Sequence, residues 1–201
     1  MGSVLVMPRL LATHLIWGCY GFWLPNDPRG SWSKYVGSRL IYDAGGKATT
    51  VSTRRSLAKD PHDREHRRAA KAALLDAPVC LSSVAAREVA HATADAAAYR
   101  GVAVHALAVM PDHVHLVVGR SELSPFELIE KFKSRATRRL NDRGLAPRPG
   151  ETPWVRGGWN VMLYDDAEVL RSIRYVEQNP VRDGLKAQRW SGVVPWGGRA
   201  S

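Results

Sequence analysis

Two histidines, His113 and His115, lie one residue apart within an apolar segment at residues 110–118. The segment predicts a β-strand, in which successive side chains point to opposite faces of the sheet. Both imidazoles then lie on one face, about 7 Å apart along the chain, and the apolar side chains of Val114 and Leu116 lie on the other. Two imidazoles on one face suit a single metal ion, although two half-buried histidines with satisfied hydrogen bonds are the simpler explanation of His-x-His alone.

A second polar group occurs in the last predicted helix, which runs from Glu168 to about Gln178. We expect Asn179-Pro180 to end this helix, because the residue before a proline avoids helical geometry. Tyr175 and Asn179 are four residues apart, so a helix places them one above the other. A phenol can act as a nucleophile, and an amide oxygen is a suitable ligand for Mg²⁺ or Mn²⁺. Taken alone, Tyr175 is more simply a packed amphipathic tyrosine.

The chain has a net charge of +10, from 29 Lys and Arg against 19 Asp and Glu. This excess of positive charge indicates a polyanionic partner, most often nucleic acid, with a merely basic protein as the alternative. Two predicted helices, residues 61–76 and 124–141, carry clusters of cations that either contact phosphates or form a solvated face. The clusters comprise Arg64, Arg67, Arg68 and Lys71 in the first helix and Lys131, Lys133, Arg135, Arg138 and Arg139 in the second.

Aromatic residues are interspersed among turn-forming residues at positions 22–35. Trp23, Trp32 and Tyr35 could stack on the unpaired bases of a nucleic acid. They could equally hold this loop against the core of the protein. The sequence leaves both interpretations open.

Composition limits the class of protein. Two cysteines, Cys19 and Cys80, lie far apart and predict a reducing compartment without a disulfide framework. No apolar run approaches the ~20 residues of a membrane span, and the N-terminus lacks the apolar core of a signal peptide. We therefore expect a cytoplasmic protein with no membrane contact, and a length of 201 residues fits one domain.

The predicted elements follow the order strand, long insertion, helix, strand, strand, helix, strand, helix. A hairpin of two strands between two helices is typical of a ferredoxin-like (RRM-like) α+β fold, in which helices pack on an antiparallel sheet. We expect a single domain over residues 1–201, with an irregular insertion around residues 25–80 and a basic C-terminal tail at residues 186–201.

Two stretches carry a resemblance to a known family. They are Met-Pro-Asp-His-Val-His-Leu at residues 110–116 and Arg-Tyr-Val-Glu-Gln-Asn-Pro-Val-Arg-Asp-Gly-Leu at residues 174–185. Together they resemble the HUH superfamily of single-strand DNA endonucleases, and more closely the single-tyrosine REP-associated tyrosine transposases. Residues 13–17 and 154–163 are similar to the same family, whereas residues 25–80 match it poorly.

The resemblance implies roles for individual residues. His113 and His115 would bind a divalent cation, Mg²⁺ or Mn²⁺, and Tyr175 would be the nucleophile, so that these three form the catalytic set. The third ligand would lie one turn beyond the tyrosine, at Asn179 or alternatively at Gln178. The family further implies cleavage and rejoining of single-stranded DNA beside hairpin (REP-like) sequences, through a 5′-phosphotyrosine link and a free 3′-OH. Monomers and homodimers are both compatible with it.

Two other functions are compatible with the sequence. One is a catalytically silent, domesticated transposase that binds hairpin DNA or RNA without cleaving it. The other is a structural zinc-type or metal-sensing protein that uses His113 and His115 with Cys19 or His105, although no paired-cysteine spacing supports it. A covalent protein–DNA adduct separates the cleaving enzyme from the first alternative, and metal content separates it from the second.

Overall fold

The computed structural model describes residues 9–27, 36, 38–49, 62–147 and 150–198. The chain divides into two compact units. The first comprises Met1–Trp17, Leu81–Thr152 and Gly157–Ser201, and the second comprises Gly18–Cys80 and Pro153–Arg156. Whether the two units act as one domain stays a prediction.

The described residues form four strands and five helices. In chain order they are β1 (Ala12–Gly18), α1 (Arg39–Gly45), α2 (Arg64–Ala72), α3 (Ser83–Tyr99), β2 (Val104–Val109), β3 (His113–Gly119), α4 (Pro125–Asp142), β4 (Trp159–Leu163) and α5 (Asp166–Arg182). The helices α1 and α2 lie in the second unit, and the other three helices lie in the first.

The four strands form one sheet in the order β2-β3-β1-β4. The strands β2 and β3 make an antiparallel pair, and β1 pairs antiparallel with β4 so that His14 lies opposite Val161. The connection from β1 to β2 and the connection from β3 to β4 both contain helices, as in the β-α-β-β-α-β arrangement of ferredoxin-like folds. The predicted α+β fold class is therefore confirmed.

Local capping signals begin the three helices of the first unit. The hydroxyl of Ser82 accepts a hydrogen bond from the backbone N–H of Ala85 at the start of α3. Ser124 and Glu127 form a capping box at the start of α4, and Asp165 caps α5. Each cap satisfies backbone N–H groups that the first turn leaves without partners, and is worth about 1 kcal/mol.

Helices cover both faces of the sheet. The core on the α5 face comprises Leu11, Ala12, Ala106, Ala108, Met110, Val117, Leu163, Val169, Ile173 and Val176. On the opposite face, Trp17 of β1 stacks on Phe132 of α4, with 6.2 Å between ring centroids. Because side chains alternate along a strand, His14 lies on the same face of β1 as Ala12. The two histidines of β3 likewise share the α5 face with Val117.

The end of α5 differs from the prediction. The helix runs to Arg182 and includes Pro180, whereas we expected it to end at Asn179-Pro180. A proline lacks the N–H that would bond the carbonyl of Val176, four residues earlier. The missing hydrogen bond lies in the last turn of the helix, where both Val176 and Pro180 are buried. The carbonyl of Pro180 itself accepts a hydrogen bond from the N–H of Leu185 at 2.8 Å. Asn179 therefore stays in helical register with the tyrosine one turn before it.

The C-terminal tail closes one edge of the sheet. The side-chain amide of Gln188 bonds both backbone groups of Val109, accepting from its N–H at 2.9 Å and donating to its carbonyl at 2.8 Å. Further along, the N–H of Val194 bonds the carbonyl of Val104 at 2.8 Å. The tail thereby covers the outer edge of β2, whose N–H and C=O groups would otherwise be open to pairing with another chain.

The helices of the second unit pack closely on each other. Gly45 at the end of α1 lies against Ala70 of α2, where a Cβ on residue 45 would come within 2.6 Å of that of Ala70. The insertion around residues 25–80, expected to be irregular, contains α2 within the predicted helix at residues 61–76, and it also contains α1, which the sequence does not predict. Residues 28–35, 37 and 50–61 within it lie outside the described residues. In the described part of the chain, no helix combines the length and the apolar character that crossing a membrane requires.

Candidate active site

His113 and His115 lie side by side on the α5 face of β3. Both residues are buried. Their ring centroids are 4.7 Å apart, and the two ring planes meet at 82°. The alternation of the strand thus brings the two imidazoles together as the His-x-His pattern predicts.

A carboxylate orients the first of these rings. The Nδ1 atom of His113 lies 2.6 Å from Oδ1 of Asp112. When the carboxylate accepts a hydrogen bond from Nδ1–H, the lone pair of a neutral imidazole lies on Nε2. Histidines held in this way by a neighbouring carboxylate are typical of metal sites.

A third histidine, His14 of β1, belongs to the same cluster. Its Nε2 atom lies 3.0 Å from Nδ1 of His115, and both residues are buried. Burial lowers the pKa of His14 to about 4. Burial also lowers the pKa of His115 well below its usual value, and the neighbouring rings of His113 and His14 add to this. The rings of His14 and His115 are therefore neutral at neutral pH.

The sequence pattern gives no role to His14. Its one signal is a histidine in a largely apolar central strand, on the face opposite Trp17. That signal alone does not reveal a partner, because the contact with His115 depends on β1 lying next to β3 in the sheet.

Tyr175 of α5 stands beside the histidine cluster. The centroid of its ring lies 5.4 Å from that of His115, with the rings edge to face, and 5.9 Å from that of His14. Tyr175 is 44% exposed, so solvent and solutes reach it. Burial of part of the side chain raises the pKa of Tyr175, Arg182 opposes this, and the charge of Asp183 adds to it. The guanidinium carbon of Arg182 lies 5.7 Å from the centre of the phenol ring.

The two candidates for a third ligand have different surroundings. Asn179 is buried, and its Nδ2 atom has no hydrogen-bond partner among the described residues. Gln178 is exposed, and its Oε1 atom accepts a hydrogen bond from Arg182 at 3.0 Å. The unpaired Nδ2 atom is a hydrogen-bond donor and cannot bind a cation, so the metal ligand would be the amide oxygen. Because the amide oxygen of Gln178 already bonds Arg182, the surroundings favour Asn179 as the third ligand.

The donor set around Asn179 fits a divalent cation such as Mg²⁺ or Mn²⁺. An amide oxygen suits either ion, and imidazole nitrogen is a common ligand of divalent transition metals such as Mn²⁺. The two adjacent imidazoles, with Nδ1 of His113 held by Asp112, are the observation that supports the fit. Among the described residues, no three or more His, Cys, Asp or Glu side chains form a group that could hold a metal. His14, His113 and His115 are thus not a three-histidine centre, and a site here needs the amide.

The residues of the zinc-type alternative are engaged in the fold. The Nδ1 atom of His105 bonds the carbonyl of Val194 at 3.1 Å, and its ring lies edge-on to Trp196. Cys19 is buried and lies in a backbone bridge with Trp154 in the second unit. Neither contact involves the histidines of β3.

The five cations of α4 do not form one open face. Lys133 is buried, where it donates to the carbonyl of Gly157, and burial lowers its pKa. Arg139 bonds Glu88 at 2.5 Å and Asp95 at 3.0 Å. The exposed members of the cluster are Lys131, Arg135 and Arg138. Contact of the cluster with nucleic acid stays a prediction. Lys131 and Arg138 have the most accessible charges, because Arg135 lies 3.8 Å from Asp95.

The cations of α2 share one surface of the second unit. They line a concavity of about 410 Å³ together with a histidine. Its lining residues are His62, Arg64, Arg67, Arg68 and Lys71. Clustered positive charge in a concave surface suits phosphate groups.

Trp23 has a packing contact within the second unit. A Cβ placed on Gly18 would come within 2.0 Å of the ring of Trp23, so this ring lies directly against the glycine backbone. The contact supports the interpretation that Trp23 holds its loop in place. Trp32 and Tyr35 lie outside the described residues, and stacking of these aromatics on bases stays a prediction.

Comparison with known proteins places the chain in a family. The family model described as Transposase IS200 like matches residues 79–179. The match covers half of the chain and includes both histidines of β3, Tyr175 and Asn179. The protein belongs to the IS200-like transposase family, and a transposase-like function follows from that membership.

Two solved structures are similar to the chain. One is described as a REP-associated tyrosine transposase bound to a REP hairpin, with 13% identity, coverage of 100% of this chain and 94% of that chain, and a TM-score of 0.47. The other is a candidate transposase from Deinococcus radiodurans R1, with 15% identity, coverage of 93% and 100%, and a TM-score of 0.39. A search of curated proteins gives no sequence match.

Proposed function

We propose that the protein is a metal-dependent transposase that cleaves and rejoins single-stranded DNA beside hairpin sequences through a covalent 5′-phosphotyrosine. Family membership supports transposase chemistry. The observation that carries the proposal is the position of Tyr175, whose ring lies 5.4 Å from that of His115 while 44% of the residue is exposed. A tyrosine nucleophile needs this combination of a polar cluster beside the phenol and an open path for the substrate.

The residues that would hold the cation are His113, His115 and Asn179. A Mg²⁺ or Mn²⁺ ion bound there supplies Lewis-acid polarisation of the scissile phosphate. These three side chains would be neutral as ligands, so they would not compensate the positive charge of a bound cation. An anionic phosphodiester is the group that such a site attracts.

Tyr175 attacks phosphorus through its phenolic oxygen. The new O–P bond forms as the bond from phosphorus to the 3′ oxygen breaks, and the 3′ oxygen takes up a proton as it leaves. The phenol must lose its own proton, which its raised pKa opposes at neutral pH. Arg182 lowers this pKa and so favours the phenolate. Because the phosphotyrosine is still a phosphodiester, attack by a 3′-OH reverses the step and rejoins a strand.

Exposed cations are the candidates for contacts with the DNA backbone. They are Lys131, Arg135 and Arg138 of α4 and Arg64, Arg67, Arg68 and Lys71 of α2. Lys133 and Arg139 bond partners within the protein. They would contribute to the positive potential of the surface without contacting phosphates directly. The hairpin as part of the substrate follows from the sequence resemblance.

The test is the capture of a covalent adduct. A labelled pool of single-stranded oligonucleotides, with randomised hairpin stems and flanks, is incubated with the protein and Mn²⁺ and then separated under denaturing conditions. We expect the wild-type protein to retain DNA covalently and Tyr175→Phe to retain none. Tyr99→Phe is the matched control, because Tyr99 is 87% exposed at the end of α3 and lies outside the site.

The outcomes separate the enzyme from its alternatives. An adduct formed by Tyr175→Phe would contradict the assignment of the nucleophile, and an adduct formed in excess EDTA would contradict the need for metal. Tight, salt-sensitive binding of hairpins without any wild-type adduct would identify the catalytically silent alternative.

A further inference from the structure

The contact between His14 and His115 is a hydrogen bond between two buried imidazoles. It joins β1 to β3 at 3.0 Å, and the two residues are 6% and 5% exposed. Among the described residues, each of these rings has the other as its hydrogen-bonding partner. A neutral imidazole has one N–H and one lone pair, so the direction of this bond decides which nitrogen of His115 carries the proton.

Only one direction of the bond leaves His115 able to bind a cation through Nε2. If Nδ1–H of His115 donates to Nε2 of His14, the lone pair of His115 lies on Nε2. If Nε2–H of His14 donates instead, the proton of neutral His115 lies on Nε2 and that nitrogen has no lone pair to offer. His14 is therefore placed to select one tautomer of its neighbour.

The other histidine of β3 is held at the same atom. Nδ1 of His113 lies 2.6 Å from Oδ1 of Asp112, as Nδ1 of His115 lies 3.0 Å from His14. A hydrogen bond to the nitrogen that does not bind the metal is the common way of fixing the orientation of a ligand histidine. Asp112, just before β3, and His14 of β1 thus give the same kind of support to the two rings.

We propose that His14 is a positioning residue that accepts a hydrogen bond from Nδ1–H of His115 and so presents Nε2 of His115 to the cation, an inference that rests on the proposed function. His14 is not itself a ligand in this arrangement. Its Nε2 atom is engaged by His115, and the three histidines do not form a metal-binding group among the described residues.

The first measurement is the tautomer of His115 in metal-free, ¹⁵N-labelled protein, read from long-range nitrogen–proton correlations. We expect the proton of His115 on Nδ1 in the wild-type protein and in His14→Gln, because the amide oxygen of glutamine can accept the same bond. We expect a change of tautomer in His14→Leu. A wild-type His115 with its proton on Nε2 would overturn the proposal, even if the leucine variant fails to fold.

The second measurement is Mn²⁺ affinity by calorimetry. Loss of a residue that supports a ligand costs about 10–100-fold in metal affinity, so we expect a weakening of this size in His14→Leu and recovery of most of it in His14→Gln. His105→Leu is the control for removing a buried histidine, since His105 bonds Val194 outside the cluster. Wild-type affinity in His14→Leu would overturn the proposal.

A third readout separates a positioning residue from a ligand. On addition of diamagnetic Mg²⁺, the ¹⁵N resonances of His113 and His115 should shift strongly and those of His14 only slightly. A shift of His14 as large as theirs would make it a ligand and overturn the proposal. Absence of any Mn²⁺ or Mg²⁺ binding by the wild-type protein would contradict the proposed function, while the metal-free tautomer decides the role of His14 separately.

Discussion

The ring of Tyr175 stands edge to face with the ring of His115, with 5.4 Å between their centroids and 80° between their planes. The tyrosine comes from α5 and the histidine from β3, so this contact exists because α5 packs on the face of the sheet that carries the histidines. It joins the strand motif and the helix motif of the sequence into one candidate site.

The choice between Asn179 and Gln178 as the third metal ligand can be tested by removing each side-chain amide. Asn179→Ala should weaken Mn²⁺ binding at least about tenfold, since it removes a ligand from the cation. Gln178→Ala is the matched control, because the side chain of Gln178 is exposed and bonded to Arg182. Isothermal calorimetry with Mn²⁺ measures both variants. Equal losses in the two variants, or a loss only in Gln178→Ala, would reverse the assignment of the third ligand.

The pKa of Tyr175 should move in opposite directions in two variants of neighbouring charges. Arg182 lowers this pKa and Asp183 raises it. Arg182→Gln should therefore raise the pKa and slow adduct formation at neutral pH, and Asp183→Asn should lower it and speed adduct formation. A pH titration of ¹³C-labelled tyrosine, assigned with Tyr175→Phe, reports the pKa. Shifts of the same sign in both variants would contradict this electrostatic account.

Stability should fall in mild acid because of His14. Its pKa is lowered by burial from 6.5 to about 4, so the unfolded chain takes up a proton at a pH where the folded protein does not. The free energy of unfolding should be fully present above pH 6.5 and should decline between pH 6.5 and pH 4, by about 3 kcal/mol from this residue. Urea denaturation at intervals of pH measures the decline. His14→Gln should flatten it, and an unchanged pH dependence in that variant would count against the prediction.

The exposed and the paired cations of α4 should behave differently when neutralised. Lys131→Gln should weaken binding of single-stranded hairpin DNA and reduce the slope of log affinity against log salt by about 1. Its effect on the free energy of unfolding should stay within about 0.5 kcal/mol. Fluorescence anisotropy over a range of salt concentrations and urea denaturation measure the two effects.

Arg139→Gln serves as the contrasting variant on the same helix. It breaks the bonds to Glu88 and Asp95, so it should destabilise the fold more than Lys131→Gln does, although solvent screens both partners. The slope of log affinity against log salt should change less in Arg139→Gln than in Lys131→Gln. A larger loss of salt dependence in Arg139→Gln would show that the paired arginine contacts DNA after all.

Local patterns predicted much of the site. The alternation of β3 places His113 and His115 on one face, and the spacing of Tyr175 and Asn179 places them on adjacent turns of α5. Patterns of this kind act over a few residues, and they depend only on the geometry of a strand or a helix. The prediction that α5 ends at Asn179-Pro180 is wrong for a related reason. Burial of Pro180 in the fold outweighs its local cost, and no short-range rule includes that burial.

The sequence by itself determined the strands and helices of the first unit, apart from the end of α5, together with their caps and the side chains that share a face of each element, because backbone geometry and capping are local. Only the tertiary structure decided that His14 meets His115, that α5 brings Tyr175 to the histidine face, and that Lys133 is buried. These facts depend on which strands become neighbours and which face a helix covers. Such contacts join residues far apart in the chain, and the free energy that selects them comes from packing the whole core.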